Sequence, residues 1–134
     1  MSITQTDIDA MRVERPRVIL ESPFRGRNAA EQAMFIAYLE LCIRDSVARG
    51  EAPFASHGLY PGALDDAVHA ERHTGIECGY TWWDAAECVV FYVDFGYSPG
   101  MREARARALR DRRECEERTL YERAVCVRGE PYGE

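Results

Sequence analysis

The sequence predicts an α/β fold: a small Rossmann-like domain of three layers, with a mostly parallel sheet between two layers of helix. Two observations lead to this prediction. Short apolar runs rich in β-branched residues alternate along the chain with longer segments of helical composition, and the runs lack the polar alternation of half-exposed strands. Uniformly apolar strands are typical of parallel sheets covered on both faces, and strands that alternate with helices form right-handed β-α-β crossovers.

The first strand and the first long helix have the clearest end signals. A strand is predicted over residues 18–20, which form a Val-Ile-Leu run. A helix is predicted over residues 29–49, with Asn28 as its N-cap, Glu31 three residues later as in a capping box, and Gly50 in the position that closes the last turn. The domain is therefore expected to begin with a strand followed by a helix.

The same alternation continues along the chain. A second strand with its following loop is predicted over residues 52–60, a weaker helix over 66–83, and the most apolar strand over 88–93. A final long helix is predicted after Ser98, and a fourth strand over 119–127. These elements would complete the sheet and both helical layers.

One domain accounts for most of the 134 residues, because a chain of this length buries one core. We expect residues 1–16 to form an N-terminal arm, loose or with a short helix. Residues 17–127 are predicted to form the single α/β domain, and residues 128–134 a polar tail.

The charge balance argues against one class of partner. The formal net charge is −6, whereas a protein that follows a phosphate backbone needs a dominant basic surface. The arginines over residues 102–113 are interleaved with acids that continue through Glu117, and this mixture is typical of a solvated helix face. We therefore expect no nucleic-acid polymer as a partner, whereas a small anionic ligand in a locally positive pocket is compatible with this charge.

The cysteines predict free thiols in a reducing compartment. There are five, with no C-x-x-C pair, and several lie in apolar runs: Cys42, Cys78, Cys88, Cys115 and Cys126. The N-terminal segment lacks a basic region followed by an apolar stretch, and no segment reaches the roughly 18 apolar residues that span a bilayer. We expect a cytoplasmic protein without a membrane partner.

Chemistry is expected in the loops over residues 21–28, 56–66 and 94–103, because ligands bind outside the carboxyl ends of parallel strands. In the first loop, Gly26 would let the backbone approach a ligand closely. The helix start that follows, together with Arg25 and its neighbouring arginine, would form a phosphate cradle. The alternative is a surface turn with two solvated arginines.

The third loop places a carboxylate near a helix start. Ser98 can cap the helix, and Glu103 is predicted in its first turn, where the positive helix end favours an ionised carboxylate. Such a carboxylate is suited to stabilising or attacking a developing cation. An ordinary acidic first-turn residue is the alternative.

Aromatic and histidine side chains give weaker signals. Phe24 and Tyr60 are candidates to stack on a base, and His57 is a candidate ligand contact or a structural loop residue. Trp82 and Trp83 lie beside an apolar strand and are expected in the core or an interface. Histidines 69 and 73 share a helical face with Glu77, but they lack the context of a zinc motif, so we expect no metal and no cofactor.

Three segments in this order resemble the nucleoside 2-deoxyribosyltransferase superfamily, which includes the 2′-deoxynucleoside 5′-phosphate N-hydrolases and nucleotide N-glycosidases. They are the first strand with Ser22 and Arg25-Gly26, the second strand with Ser56-His57, and residues 86–90 leading to Ser98, Gly100 and Glu103. The resemblance implies that Glu103 is the nucleophilic or cation-stabilising glutamate. It also implies that Ser98 and Gly100 lie near the nucleotide phosphate and that Arg25 with Gly26 belongs to a phosphate loop after the first strand. Ser22 is a further candidate for substrate binding.

The sequence departs from this pattern at the second acid. The resemblance places an aspartate about eight residues before the position of Glu87, where Gly79 stands here. Glu77 is the expected substitute, and Asp66 and Asp84 are weaker candidates. Without a second acid, the protein would bind a nucleotide without turning it over.

Two functions are therefore predicted, a nucleoside 5′-monophosphate N-glycosidase and a catalytically degenerate protein that binds or sequesters nucleotides. The partner would be a small nucleotide in either case. A base-exchanging transferase fits less well, because it would leave a phosphate loop unused. The apolar character of residues 33–41 on several helical faces, together with the resemblance, predicts a homodimer or higher homo-oligomer.

Overall fold

The computed structural model describes residues 2–11 and 14–121. It confirms the predicted fold class, with a four-stranded sheet in the order β2-β1-β3-β4 and every neighbouring pair parallel. The helices and strands are α1 (Gln5–Ala10), β1 (Arg17–Glu21), α2 (Ala29–Ala48), β2 (Ala52–Phe54), α3 (His69–Thr81), β3 (Cys88–Tyr92), α4 (Pro99–Arg110) and β4 (Cys115–Arg118). Short 3-10 turns at Ser56–Gly58, Tyr60–Gly62 and Trp82–Ala85 join some of them.

Helices cover both faces of the sheet, as a three-layer domain requires. On one face, Val18 and Leu20 of β1 pack with residues of α2, namely Tyr38, Leu39 and Cys42. On the other face, Ile19 packs with Met101, Ala104 and Ala108 of α4 and with Trp83 of the 3-10 turn that follows α3. Successive strand residues point to opposite faces, which is why an uninterrupted apolar run was the correct signal for β1.

Helix α2 begins and ends where the sequence predicts. The Asn28 side chain accepts a hydrogen bond from the Glu31 backbone N–H at 2.9 Å, and Gly50 follows the helix with a φ of +91°. One side of α2 is buried in the core. Met34 and Leu41, on another side, are 41% and 49% exposed, so the residues that the structure describes do not supply the predicted second burial of this helix.

The C-terminal part of the domain differs from the prediction. Helix α4 ends at Arg110, the chain turns through Arg112 with a φ of +58°, and β4 follows at Cys115–Arg118 rather than over residues 119–127. The acids assigned to a solvated helix face therefore lie partly on an edge strand, where charged side chains block pairing with another sheet. Residues 122–127 and the predicted tail over 128–134 lie outside the described residues.

Strand β4 is held by a buried ion pair. The Arg118 side chain is 4% exposed and donates to both Glu51 carboxylate oxygens at 2.8 and 2.7 Å, to Glu116 at 2.9 Å and to the Tyr92 hydroxyl oxygen at 3.1 Å. The Tyr92 hydroxyl in turn donates to Asp45 at 2.7 Å. These contacts join β4, β3 and α2, and they explain how a strand without apolar periodicity is fixed in the sheet.

The predicted N-terminal arm contains α1, whose residues are all exposed. Thr4 and Asp7 form a capping box at its start, with hydrogen bonds of 3.0 and 2.9 Å. In residues 2–11 and 14–121 the structure contains no helix with the length and apolar character needed to cross a membrane.

Candidate functional site

A cavity of about 520 Å³ opens at the carboxyl end of β1, between α3 and α4. This volume lies within the roughly 300–1,000 Å³ of small-molecule sites. Strand β1 lies between β2 and β3, the point at which the chain crosses to opposite sides of the sheet and where ligands of open α/β sheets bind. The cavity brings together most of the predicted site residues: Ser22, Phe24, Arg25, Gly26, His57, Tyr60, Ser98, Gly100 and Glu103.

The loop after β1 does not present a free backbone cradle. The Gly26 N–H donates to the Gln32 side chain at 3.0 Å, and the Arg27 N–H donates to Glu31 at 2.7 Å. A Cβ on Gly26 would lie 2.4 Å from the backbone nitrogen of Gln32, so this glycine is required for packing against α2. These two N–H groups are therefore already occupied by helix side chains, and the phosphate cradle stays a prediction that depends on the arginines and the helix start.

The cations near the cavity mouth are paired. Arg25 forms an ion pair with Asp66, and Arg72 lies 3.8 Å from the same carboxylate. Arg27 pairs with Glu31 at 2.8 Å. Arg25 and Arg72 both line the cavity and are partly solvated, so an anionic ligand there would compete with Asp66 for them.

Ser22 and His57 form a hydrogen-bonded pair in the cavity wall. The Ser22 Oγ and His57 Nε2 are 2.8 Å apart, and the Phe24 ring meets the imidazole edge to face. Burial lowers the pKa of His57 to about 4, so the ring is neutral at pH 7. A neutral imidazole beside a serine hydroxyl can donate or accept one further hydrogen bond to a ligand.

Helix α4 begins with Ser98 as its N-cap, as predicted, and the Ser98 Oγ accepts from the Met101 N–H at 3.2 Å. The first helical residue is Pro99, which makes Glu103 the fifth. The expectation that Glu103 lies in the first turn is therefore wrong, and the helix end favours its charge less than expected, because that effect falls off within one turn. Glu103 nevertheless lines the cavity.

The expected substitute for the second acid does not reach the site. Glu77 is exposed on α3 and does not line the cavity, whereas Gly79 does. A Cβ on Gly79 would lie 2.7 Å from the Ser56 Oγ and 2.9 Å from its Cβ. The glycine therefore permits the turn after β2 to pack against α3, and no aspartate side chain fits in its place. Asp84 is exposed and pairs with Arg113, away from the cavity.

Two residues that the sequence analysis did not select lie in the cavity. Glu21 is the last residue of β1, and burial raises the pKa of its carboxyl to about 8. Burial also raises the pKa of Tyr80 on α3, as do the charges of Glu21 and Glu103. Both carboxyl groups thus act on one phenol. A signal for Glu21 was present, because it ends an apolar strand on the same face as Ile19.

The predicted core position is confirmed for Trp83 but not for Trp82. Trp83 is buried and contributes to the cavity wall, while Trp82 is 50% exposed and donates to the Tyr60 hydroxyl oxygen at 3.0 Å. Within the described residues, no three His, Cys, Asp or Glu side chains are grouped so that they could hold a metal ion.

Comparison with known proteins gives one family. Residues 16–118 match a family model described as a domain of unknown function (DUF7768). The match runs from the residue before β1 to the last residue of β4 and so includes every wall of the cavity. Comparison with curated proteins found no match.

Proposed function

The chain belongs to the DUF7768 family, a domain of unknown function, and we propose that it is a nucleoside 5′-monophosphate N-glycosidase, which hydrolyses the bond between base and sugar. One observation carries this proposal. The residues through which the sequence resembles the nucleoside 2-deoxyribosyltransferase superfamily come from three separate loops, and they line one cavity that also contains the Glu103 carboxylate.

Glu103 is assigned to the sugar. Cleavage of an N-glycosidic bond passes through an oxocarbenium-like state, in which positive charge develops on the anomeric carbon and ring oxygen. A carboxylate beside that carbon stabilises the charge or forms a covalent bond to it. Glu103 is exposed and lines the cavity, and among residues 2–11 and 14–121 no hydrogen bond or ion pair holds its carboxylate in another role.

The phosphate is assigned to the mouth of the cavity. Arg25 and Arg72 lie there, and Ser98 with Gly100 forms the N-terminal end of α4. Guanidinium groups and helix N-termini both favour a phosphate dianion. Binding would require the phosphate to displace Asp66 from Arg25. The Asp66 carboxylate therefore competes with the phosphate for this site.

The base is assigned to the aromatic side of the cavity. Phe24 and Tyr60 both line it, and the neutral His57 lies between polar and aromatic neighbours. Aromatic rings provide a stacking surface for any base, while the Ser22–His57 pair offers a directional hydrogen bond.

A second candidate is a nucleotide-binding protein without catalysis. The observation that favours it is the glycine at position 79, with no room for the carboxylate that the resemblance places there. This candidate uses the same cavity and the same phosphate and base contacts, so binding alone does not separate the two.

Base release separates them. Wild-type protein is incubated with ribo- and deoxyribonucleoside 5′-monophosphates, and free base is measured by chromatography. Glu103→Gln is expected to abolish release, whereas Glu77→Gln, on α3 and outside the cavity, is expected to leave it unchanged. Calorimetry with the same nucleotides measures binding in parallel.

The outcomes are distinct. Base release that depends on Glu103 but not on Glu77 supports the glycosidase. Nucleotide binding without base release favours the binding protein, and absence of both from the whole panel contradicts both functions.

A further inference from the structure

We propose that Glu21 is the acid that protonates the leaving base, in place of the carboxylate that Gly79 excludes. This inference rests on the proposed glycosidase function. It assigns a catalytic role to a residue that neither the sequence motifs nor the family description identifies.

The position of Glu21 is the first argument. It ends β1 and pairs in register with Phe91 of β3, so its backbone is fixed in the centre of the sheet. Its side chain lies on the face of Ile19, which is the face covered by α4, and it lines the cavity. In the described part of the chain, no hydrogen bond or ion pair joins the Glu21 carboxyl to another side chain. It is therefore available to a ligand.

The second argument is that two carboxyl groups with different surroundings line the same cavity. Glu21 and Glu103 both line the cavity, and the charges of both raise the pKa of Tyr80, which lines it as well. Glu103 comes from α4 and is exposed, whereas Glu21 comes from the sheet and is partly buried. Two carboxyl groups in unlike environments are the usual basis for dividing acid and charge-stabilising roles.

The protonation state agrees with this division. Burial holds the pKa of Glu21 at about 8, so it retains its proton at neutral pH. The other titratable and charged groups that line the cavity with Glu21 are Arg25, Arg27, His57, Tyr60, Asp66, Glu71, Arg72, Tyr80 and Glu103. His57 is neutral at this pH, and Arg25 is paired with Asp66, so neither neutralises a Glu21 carboxylate.

The reaction balances with these two residues and water. The C1′–N bond breaks, its electron pair goes to the base, and the base takes the proton of Glu21. Glu103 stabilises the cationic sugar. Water then adds to C1′ and gives its proton to the Glu21 carboxylate, which restores the acid. The products are the free base and the sugar 5-phosphate.

The test compares substrates that do and do not need the proton. The first is the nucleotide that the wild type hydrolyses, and the second is an activated form of it: the 7-methyl nucleotide for a purine, or the 5-nitro nucleotide for a pyrimidine. Glu21→Gln is expected to lower the rate on the first by roughly 10²- to 10⁴-fold and on the second by far less. Glu103→Gln is expected to lower both.

The pH profile gives an independent measurement. Wild-type kcat/KM should fall as pH rises above about 8, because the acid must carry its proton. Glu21→Gln should lack this alkaline limb, and Glu21→Asp should keep one. Calorimetric binding of ribose 5-phosphate checks that each variant retains a folded site.

The failures are distinguishable. No base release by the wild type overturns the proposed function and this inference together. An active wild type with an equally active Glu21→Gln overturns only the role of Glu21. Equal slowing of Glu21→Gln on both substrates also overturns it, because a residue that only shapes the cavity would affect both.

Discussion

Replacing Glu21 with glutamine is expected to stabilise the folded protein at neutral and alkaline pH. The carboxyl has an ordinary pKa of 4.5 and a folded pKa of about 8, because burial penalises its charged form. Below pH 4.5 it is protonated in both the folded and the unfolded chain and has no effect. As the pH rises from 4.5 to 8, only the unfolded chain loses the proton, so the wild type loses stability over this interval.

The size of the effect follows from the same two values. At about 1.36 kcal/mol per pH unit, the interval from 4.5 to about 8 corresponds to a full penalty of about 5 kcal/mol above pH 8. At pH 7 most of this penalty, about 3 kcal/mol, is already present. The side chain contacts the cavity, where water reduces the penalty, so we expect about 2 to 5 kcal/mol at pH 9.

Urea denaturation under reducing conditions measures this difference. Wild type, Glu21→Gln and Glu103→Gln are unfolded at pH 4.5, 7 and 9, and the free energies of unfolding are compared at each pH. The gain of Glu21→Gln over wild type should increase with pH, while Glu103→Gln, which is exposed, should show no such trend. A gain that is constant or decreases with pH would refute the argument from burial.

Four further outcomes are expected. Asp66→Asn should tighten binding of inorganic phosphate up to about five-fold in calorimetry, because it releases the two arginines that this exposed carboxylate pairs with. Gly79→Ala should lower the free energy of unfolding by about 1 to 3 kcal/mol, and Ser56→Gly in the same chain should restore much of it. Arg118→Met should cost about 3 to 5 kcal/mol in urea denaturation, since it removes the cation from the largely buried Glu51 carboxylate and leaves it the weaker Ser46 hydrogen bond. Light scattering should report a homodimer or larger, reduced to a monomer by Leu41→Glu on the exposed side of α2; a monomeric wild type at micromolar concentration contradicts this.

Elements with local signals were predictable from the sequence. The β1 and β3 runs are apolar on both faces, and Asn28 and Gly50 mark the two ends of α2 through hydrogen bonding and a positive φ. Strand β4 was not predictable in this way. Its sequence is charged, and contacts with Glu51, far away in the chain, determine its position.

The candidate site likewise contains features that could be predicted from the sequence and features that could not. The loops at the strand ends were predictable, because parallel strands bring their carboxyl ends to one edge. The protonated state of Glu21 was not, since it results from enclosure by elements distant in sequence. The occupied N–H groups of Gly26 and Arg27 were also missed, because their acceptors are helix side chains whose direction depends on the fold.

The two helical walls of the cavity differ in how firmly they are attached. Helix α4 buries Met101, Ala104 and Ala108 against the sheet, whereas Gly79 is the one buried residue of α3. Few buried apolar contacts correspond to a low free energy of local opening. We therefore expect helix α3 to open at lower cost than the sheet. Amide hydrogens of α3 should accordingly exchange sooner than those of β1, and opening of this wall would admit a ligand while Glu21 stays in the sheet.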